Sequence, residues 1–316
     1  MQRIHPATSR HLSRPARLAA VVAALAAVAI AAGCVGGSPF EARSTESREL
    51  SVTDVDQPLV VIETFNGQVT VRTGEPGRVD ATVEVTGVGP TQAEAEADRA
   101  NVATTLEQEA GRVRLRAVYG PNPASPGNRG ASATVTVPPG SELDIRTSNG
   151  AVTVDRVGAA LRAATSNGAV TVAGSSGDTV VETSNGEVRL TAATGMIDVR
   201  SSNAGVTVEA TDAVVAVDTS SGAVRFAGSL APGDSSFVTS NGAVDLVLPT
   251  DASFALDAST SNGDITVGYP LASSGAASAA RVQGTVGSDP AIAITIETSN
   301  AGVTVQPAPA TSARLP

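Results

Sequence analysis

From about residue 141 onward, apolar and polar residues alternate in short runs, and the runs recur in register. Val152 and Val154, Val170 and Val172, Val188 and Leu190, Val206 and Val208, Val224 and Phe226, and Val244 and Leu246 each follow a corner written "SNG" or a close variant. Leu143 and Ile145, Ile197 and Val199, Val215 and Val217, and Ile294 and Ile296 precede such corners. Apolar residues at a period of two mark strands buried on one side, so each unit is expected to be two short strands meeting at the corner.

The corner keeps a cadence. Asn149, Asn167, Asn185 and Asn203 stand 18 residues apart, Ser221 takes the next position, and intervals of 20, 21 and 38 then lead to Asn241, Asn262 and Asn300. An earlier copy, "VIETFNGQVTV", sets Asn66 in the same frame. Asn-Gly between alternating strands signals a two-residue type I′ hairpin, so an antiparallel β-meander of such hairpins is one reading. The other is all-β and parallel, a β-solenoid (β-helix) with about 18 residues per coil. Equal coils lay like residue over like, and stacked Asn amides then hydrogen-bond as a ladder. Asn holds its column in eight of nine copies and an immediately following Gly in seven, with Ala204 and Ala301 as the exceptions. Ala fits the second left-handed position of a type I′ turn poorly, which favours the solenoid. Asn149, Asn167, Asn185, Asn203, Asn241, Asn262 and Asn300 are thus expected as a structural ladder, because a ligand site rarely needs so many copies.

Upstream, residues 50–140 are less regular. Strands are predicted at 59–63, 68–72 and 79–86, then a short helix opened by Thr91 and Glu94, a capping-box pair after Pro90, then a hairpin around Ala110 and Gly111. An open end of a stack exposes unpaired backbone groups, so this α+β region is expected to cap a solenoid at 141–306. Residues 120–132 and 268–280 read as loops, and 307–316, rich in Pro and Ala, as a disordered tail.

The N-terminus reads as an export signal over residues 1–33. Arg3, Arg10, Arg14 and Arg17 precede an apolar run at 18–32 that ends in small residues. "AAGC" resembles the lipobox of bacterial lipoproteins, with Ala31 departing from the preferred Leu; the resemblance implies cleavage after Gly33 and a lipid on Cys34 that attaches the chain to a membrane. Residues 34–49, small and polar, read as the tether. Ordinary secretion and a single-pass anchor are the alternatives, although the run is short for a span of about 20 residues. Each places the remainder outside the cytoplasm.

Composition narrows the chemistry. The chain has no Lys and no Trp, its histidines are His5 and His11, and Cys34 is its single cysteine. Without the leader there is no His, so the usual general base, the commonest metal ligand and the Schiff-base nucleophile are all missing; no metal and no cofactor are expected. One cysteine makes no internal disulfide. The net charge is −10, from 21 Arg against 31 acids, and removing the four leader arginines leaves 17 against 31, or −14. With no basic stripe, nucleic acid is excluded as a partner.

Asp198, Asp218 and Asp245 are the acids worth weighing, but they fall in different columns, with no paired carboxylates at glycosidase separation. The calcium-binding GGxGxD repeat is also absent. No enzyme is expected, a carbohydrate-active β-helix enzyme being the alternative these acids leave open. Glu182, Arg200 and Asp218 share one outward column, and Arg189 and Arg225 another with Thr207 between them. Such a face is either a solvated ion-pair ladder, each pair contributing about 0–1 kcal/mol, or a surface for a partner.

"VIETFNGQVTV", "TVTVPPGSELDIRTSNGAVTV" and the serial "TSNGAV" units resemble the bacterial putative-adhesin family of β-strand-repeat proteins over residues 52–305. The resemblance implies a β-solenoid fold and an extracellular or envelope-anchored place, and it supplies no catalytic motif. Two functions follow as expectations: an adhesin-like binding or scaffold module that contacts an envelope protein or a glycan, or a structural, envelope-stress-associated lipoprotein with no ligand of its own.

Overall fold

The computed structural model describes residues 42–120, 129–273 and 280–309. The leader and Cys34 lie outside the described residues. Strands β1 (Ala42–Thr53), β2 (Leu59–Glu63), β3 (Val69–Thr73) and β4 (Arg78–Gly89) precede helix α1 (Gln92–Ala100), and β5 (Val102–Glu109), β6 (Arg112–Tyr119) and β7 (Gly130–Val137) follow it. The repeats hold β8 (Glu142–Arg146), β9 (Val152–Val157), β10 (Leu161–Ala164), β11 (Val170–Ser175), β12 (Thr179–Thr183), β13 (Val188–Ser201), β14 (Val206–Thr219), β15 (Val224–Leu230), β16 (Gly233–Thr239) and β17 (Val244–Leu248). The chain continues through β18 (Phe254–Thr260), β19 (Ile265–Val267), β20 (Ala272–Ser273), β21 (Arg281–Val286), β22 (Ile292–Thr298) and β23 (Val303–Pro307).

The protein is all-β, with one nine-residue helix among the described residues, and its strands join in a single mixed sheet wrapped around an aliphatic core. The strands that flank a corner do not pair with each other. β8 pairs in parallel with β2 and β10, whereas β9 pairs in parallel with β3 and β11. The Asn-Gly meander is therefore not formed. Strands entering the corners make one face, in the order β5, β6, β2, β8, β10, β12, β13, β14, β16, β22, β18, β21, β20. Strands leaving them make the second face, in the order β1, β4, β7, β3, β9, β11, β13, β14, β15, β17, β23, β19. Leu143 lies beside Leu161, Leu161 beside Thr179 and Thr179 beside Ile197, so like positions of the repeat adjoin.

Three expectations need correction. The sheet is not parallel throughout: β1, β4 and β5 close one end with antiparallel pairs, and β20 and β21 close the other. Antiparallel strands fold back over an edge that a parallel strand would leave open. Residues 42–49, expected as tether, are the first part of β1, held by twelve residues of register against β4. Finally, spatial order departs from chain order. The 292–307 coil lies between the 233–248 and 254–267 coils, so Asn300 stands between Asn241 and Asn262.

The cap follows from local chemistry. Thr91 and Glu94 satisfy each other's backbone N–H groups as a capping box, and Ala110 and Gly111, at φ 46° and 80°, turn β5 into β6. The helix packs on β4 and β1 across Gly87, where a Cβ would collide with the backbone of Ala95 and Arg99. The ordered chain passes the expected end of the repeats at 306: β23 reaches Pro307, and Ala308 N–H donates to the Leu248 carbonyl. Residues 310–316 lie outside the description.

Candidate functional site

Each corner residue of "TSNG" has its own task. The threonine points inward and is buried at Thr147, Thr165, Thr183, Thr219, Thr239, Thr260 and Thr298. Its hydroxyl donates to a carbonyl of the adjoining coil, as Thr165 does to Gly150 at 3.1 Å and Thr239 to Gly222 at 3.0 Å. The same oxygen accepts the glycine N–H within its own corner, at 3.3 Å from Gly168 and 3.2 Å from Gly242. The asparagine lies exposed and bonds along the stack: Asn149 to Asn66, Asn167 to Asn149, Asn185 to Asn167 at 2.7 Å and Asn203 to Asn185 at 2.8 Å. Ser221 interrupts the row, and Asn241 donates instead to the Ser220 carbonyl. Asn300 to Asn241 at 2.8 Å and Asn262 to Asn300 at 3.0 Å form a second row. Asn66 thus belongs with the seven Asn positions expected in the ladder.

The corner glycines are not turn residues. None of Gly150, Gly168, Gly186, Gly222 or Gly242 has a positive φ. A Cβ on Gly168 would instead fall on the Gly150 carbonyl, and one on Gly186 on the Gly168 carbonyl. Glycine is needed here because backbone stacks directly on backbone.

The serines remain. Ser148, Ser166, Ser184, Ser202, Ser220, Ser240, Ser299 and Ser261 all lie exposed along the corner. Their backbone stacks, with Ser166 N–H donating to the Ser148 carbonyl at 2.9 Å and Ser184 N–H to Ser166 at 3.1 Å. Beside this row runs a shallow groove of about 480 Å³, walled by Arg146, Glu182 and Arg200 from the strands and by Ser166, Ser184 and Ser202 from the corner. On the other side of the Asn row, where Ala204 and Gly205 replace the usual Gly, lies a second groove of about 420 Å³, reaching Asn185, Glu187 and Arg225.

Charges on the entering face alternate from coil to coil. Glu182 adjoins Arg200, and Arg200 adjoins Asp218. Arg162 reaches Glu182 at 2.8 Å, and Arg200 holds Asp198 at 2.7 Å. The pattern extends toward the cap, where Glu63 receives Arg114 at 2.6 Å and Arg116 at 3.0 Å. The hydrogen bond from Arg114 holds the Glu63 carboxyl below its ordinary range, against the opposing effect of burial. On the leaving face Arg189 and Arg225 flank Thr207, and Arg225 meets Asp245 at 3.6 Å. Asp198 and Asp245 therefore stand on different faces, each beside an arginine. Among the described residues no three His, Cys, Asp or Glu side chains gather at metal-binding distance.

Sequence reasoning missed a polar cluster under the cap. Asp98 is fully buried and accepts from Val88 N–H at 3.0 Å, from the Tyr119 hydroxyl and from Arg129 Nε at 3.1 Å. Arg129 also lies over the Tyr119 ring, 4.6 Å from its centroid. Burial pushes the Asp98 carboxyl upward, but the three donors outweigh it and hold its pKa below the ordinary value. The available sign was spacing, since Ala95 and Asp98 share a helix face. At the far end Tyr269 is buried against Phe254, rings at 5.3 Å, and its hydroxyl donates to the Leu248 or Pro249 carbonyl at 2.9 Å. Burial and nearby Asp251 push its pKa up to about 12.

The repeated corner and two-faced stack agree with a family model, Toastrack DUF4097, that matches residues 58–306. The chain belongs to the Toastrack family. The match takes in β2 to β22 and most of β23, including the antiparallel pairs of β4, β5, β20 and β21, and leaves β1 outside it. No curated protein matches the chain. Among solved structures, a "putative lipid binding protein" from Parabacteroides distasonis is 14% identical with a TM-score of 0.43, covering 83% of this chain and 97% of its own. A "putative adhesin" from Bacteroides fragilis is 11% identical at TM-score 0.37, covering 83% and 96%. A "putative cell adhesion protein" from Clostridium sporogenes is 9% identical at 0.25, covering 84% and 100%. Those names belong to those proteins.

Proposed function

We infer that this Toastrack chain is an extracytoplasmic binding or scaffold module without catalysis, built as a parallel solenoid whose regular coil is 18 residues. The observation that carries the reading is the register of the exposed side chains. Ser166, Ser184 and Ser202 recur along one groove, so the same exposed hydroxyl is offered at each coil, while the facing column varies through Arg146, Ala164, Glu182 and Arg200. Neighbouring coils are about 4.8 Å apart, which suits an extended, repeating partner such as a glycan strand or an unfolded segment of an envelope protein. The acids offer little for catalysis. Asp198 and Glu182 are engaged by arginine, and the grooves are open and shallow. The export-type leader and the acidic balance support a place outside the cytoplasm, with attachment through a lipid on Cys34. Among the described residues no helix is long and apolar enough to cross a membrane.

In situ crosslinking on intact cells, with capture through the full chain, tests the binding reading. An envelope protein or glycan captured by the native chain and lost with Arg200→Glu supports it. Equal capture by both places the contact away from this face, and none by either leaves the alternative, a structural, envelope-stress-associated lipoprotein with no ligand of its own. Labelling with a radioactive fatty acid tests the anchor, since Cys34→Ser is expected to abolish incorporation.

A further inference from the structure

The interior position of the 292–307 coil has a consequence for assembly. The chain completes the 233–248 coil, then builds the outer coil 254–267 and the hairpin with β21, and only afterwards returns to the position between them. In the folded chain this coil therefore occupies a slot between two coils that both precede it in the sequence. At the other end the order differs: the 59–73 coil comes first, and the 112–137 and 142–157 coils are laid on either side of it. No slot opens there.

The slot is bounded by strand edges on both sides. β22 pairs with β16 from Gly233↔Ile292 to Val238↔Glu297 and with β18 from Ala255↔Ala293 to Thr260↔Thr298. β23 pairs with β17 and with β19. Ile294, Ile296, Val303 and Val305 are each buried to within 1%. The coil is joined to β21 by residues 287–291, where Gly287 has φ 79° and Asp289 φ 52°, followed by Pro290. A short connection with left-handed residues is the kind that favours exchange when it opens out.

We propose that this slot is an interaction surface for a second copy of the chain, which fills it with its own 292–307 coil in a reciprocal exchange. Each hydrogen bond and apolar contact of the coil is reproduced across the two copies, so the exchanged and closed forms differ only in the connection and in the cost of association. Extended, the five residues at 287–291 span at most about 18 Å, which keeps the copies close together.

The test begins with the full chain, carrying Cys34→Ser, refolded from denaturant at increasing concentration and sized by light scattering. A dimer that grows with concentration and persists on dilution is expected. Monomer at every concentration overturns the proposal. The contact is then located with Val247→Cys and Gln306→Cys, whose positions adjoin on β17 and β23. Strands at about 4.8 Å lie within the disulfide Cα range of 4.4–6.8 Å. Refolding the two variants together and oxidising should give a covalent dimer that is lost when either is oxidised alone. Dimers that form without that disulfide join elsewhere and overturn the proposal.

Discussion

Asp98 and the corner glycines show how much rests on single positions. Asp98→Ala leaves Arg129 facing a hole where its buried partner stood, and breaking a buried pair costs about 3–5 kcal/mol. Chemical denaturation should show that loss. Asp98, Glu63 and Asp257 all titrate below their ordinary values of 3.8, 4.5 and 3.8: donors to Asp98 outweigh its burial, Arg114 bonds Glu63, and Arg281 bonds Asp257. Depressed carboxylates contribute stability fully above the ordinary range and lose it as pH falls through the lowered folded values. Midpoints measured by urea should therefore be flat at neutral pH and fall below about pH 4, and Asp98→Ala should flatten that fall. Gly168→Ala places a methyl on the Gly150 carbonyl, and overpacking of this kind costs about 1–3 kcal/mol.

Within one coil, the two corners obey different rules. At the "TSNG" corner Thr183 accepts from Gly186 N–H at 3.2 Å and donates toward the Gly168 carbonyl at 3.4 Å. Thr183→Val should cost about 1–3 kcal/mol because a buried N–H loses its partner, while Asn167→Ala, exposed, should cost about 0.5–1.5. A thermal melt of both variants checks the ordering. The opposite corner is held by left-handed residues at Arg156, Gly174 and Ala192, spaced by 18. These share no side-chain chemistry, so no motif announced them; only backbone geometry reveals the column. Ala192→Gly should raise stability by up to about 1 kcal/mol by relieving the left-handed cost to Ala.

The stack as a whole separates stability from surface. The core runs through every coil as alternating Val, Ile, Leu and Ala, with Phe226 and Phe237 in contact at 5.7 Å between ring centres. Outward charges contribute little to it: Arg200→Glu, on a side chain 59% exposed, should change stability by less than about 1 kcal/mol. If the same change abolishes capture on cells, the face is recognised rather than merely solvated. The ends carry the remaining cost of an open sheet, and α1 with β1 at one end and β20 with β21 at the other cover it.

The strands flanking the corners, their inward and outward sides, the capping box at Thr91 and Glu94 and the columns of Glu182, Arg200 and Asp218 were legible in the chain, because each depends on spacing between near neighbours; the first part of β1, expected as tether, and the start of β7 and all of β20, expected as loop, were not. The role of glycine at the corner was not, because its reason is the carbonyl of another coil. Nor was the pairing of Asp98 with Arg129, or the insertion of Asn300 between Asn241 and Asn262. A period of 18 states which residues can lie beside one another; it does not state the order in which coils are stacked. That order is set by which strand edges meet in three dimensions, as where β22 pairs with both β16 and β18, and contacts between segments so far apart in the chain leave no mark in local spacing.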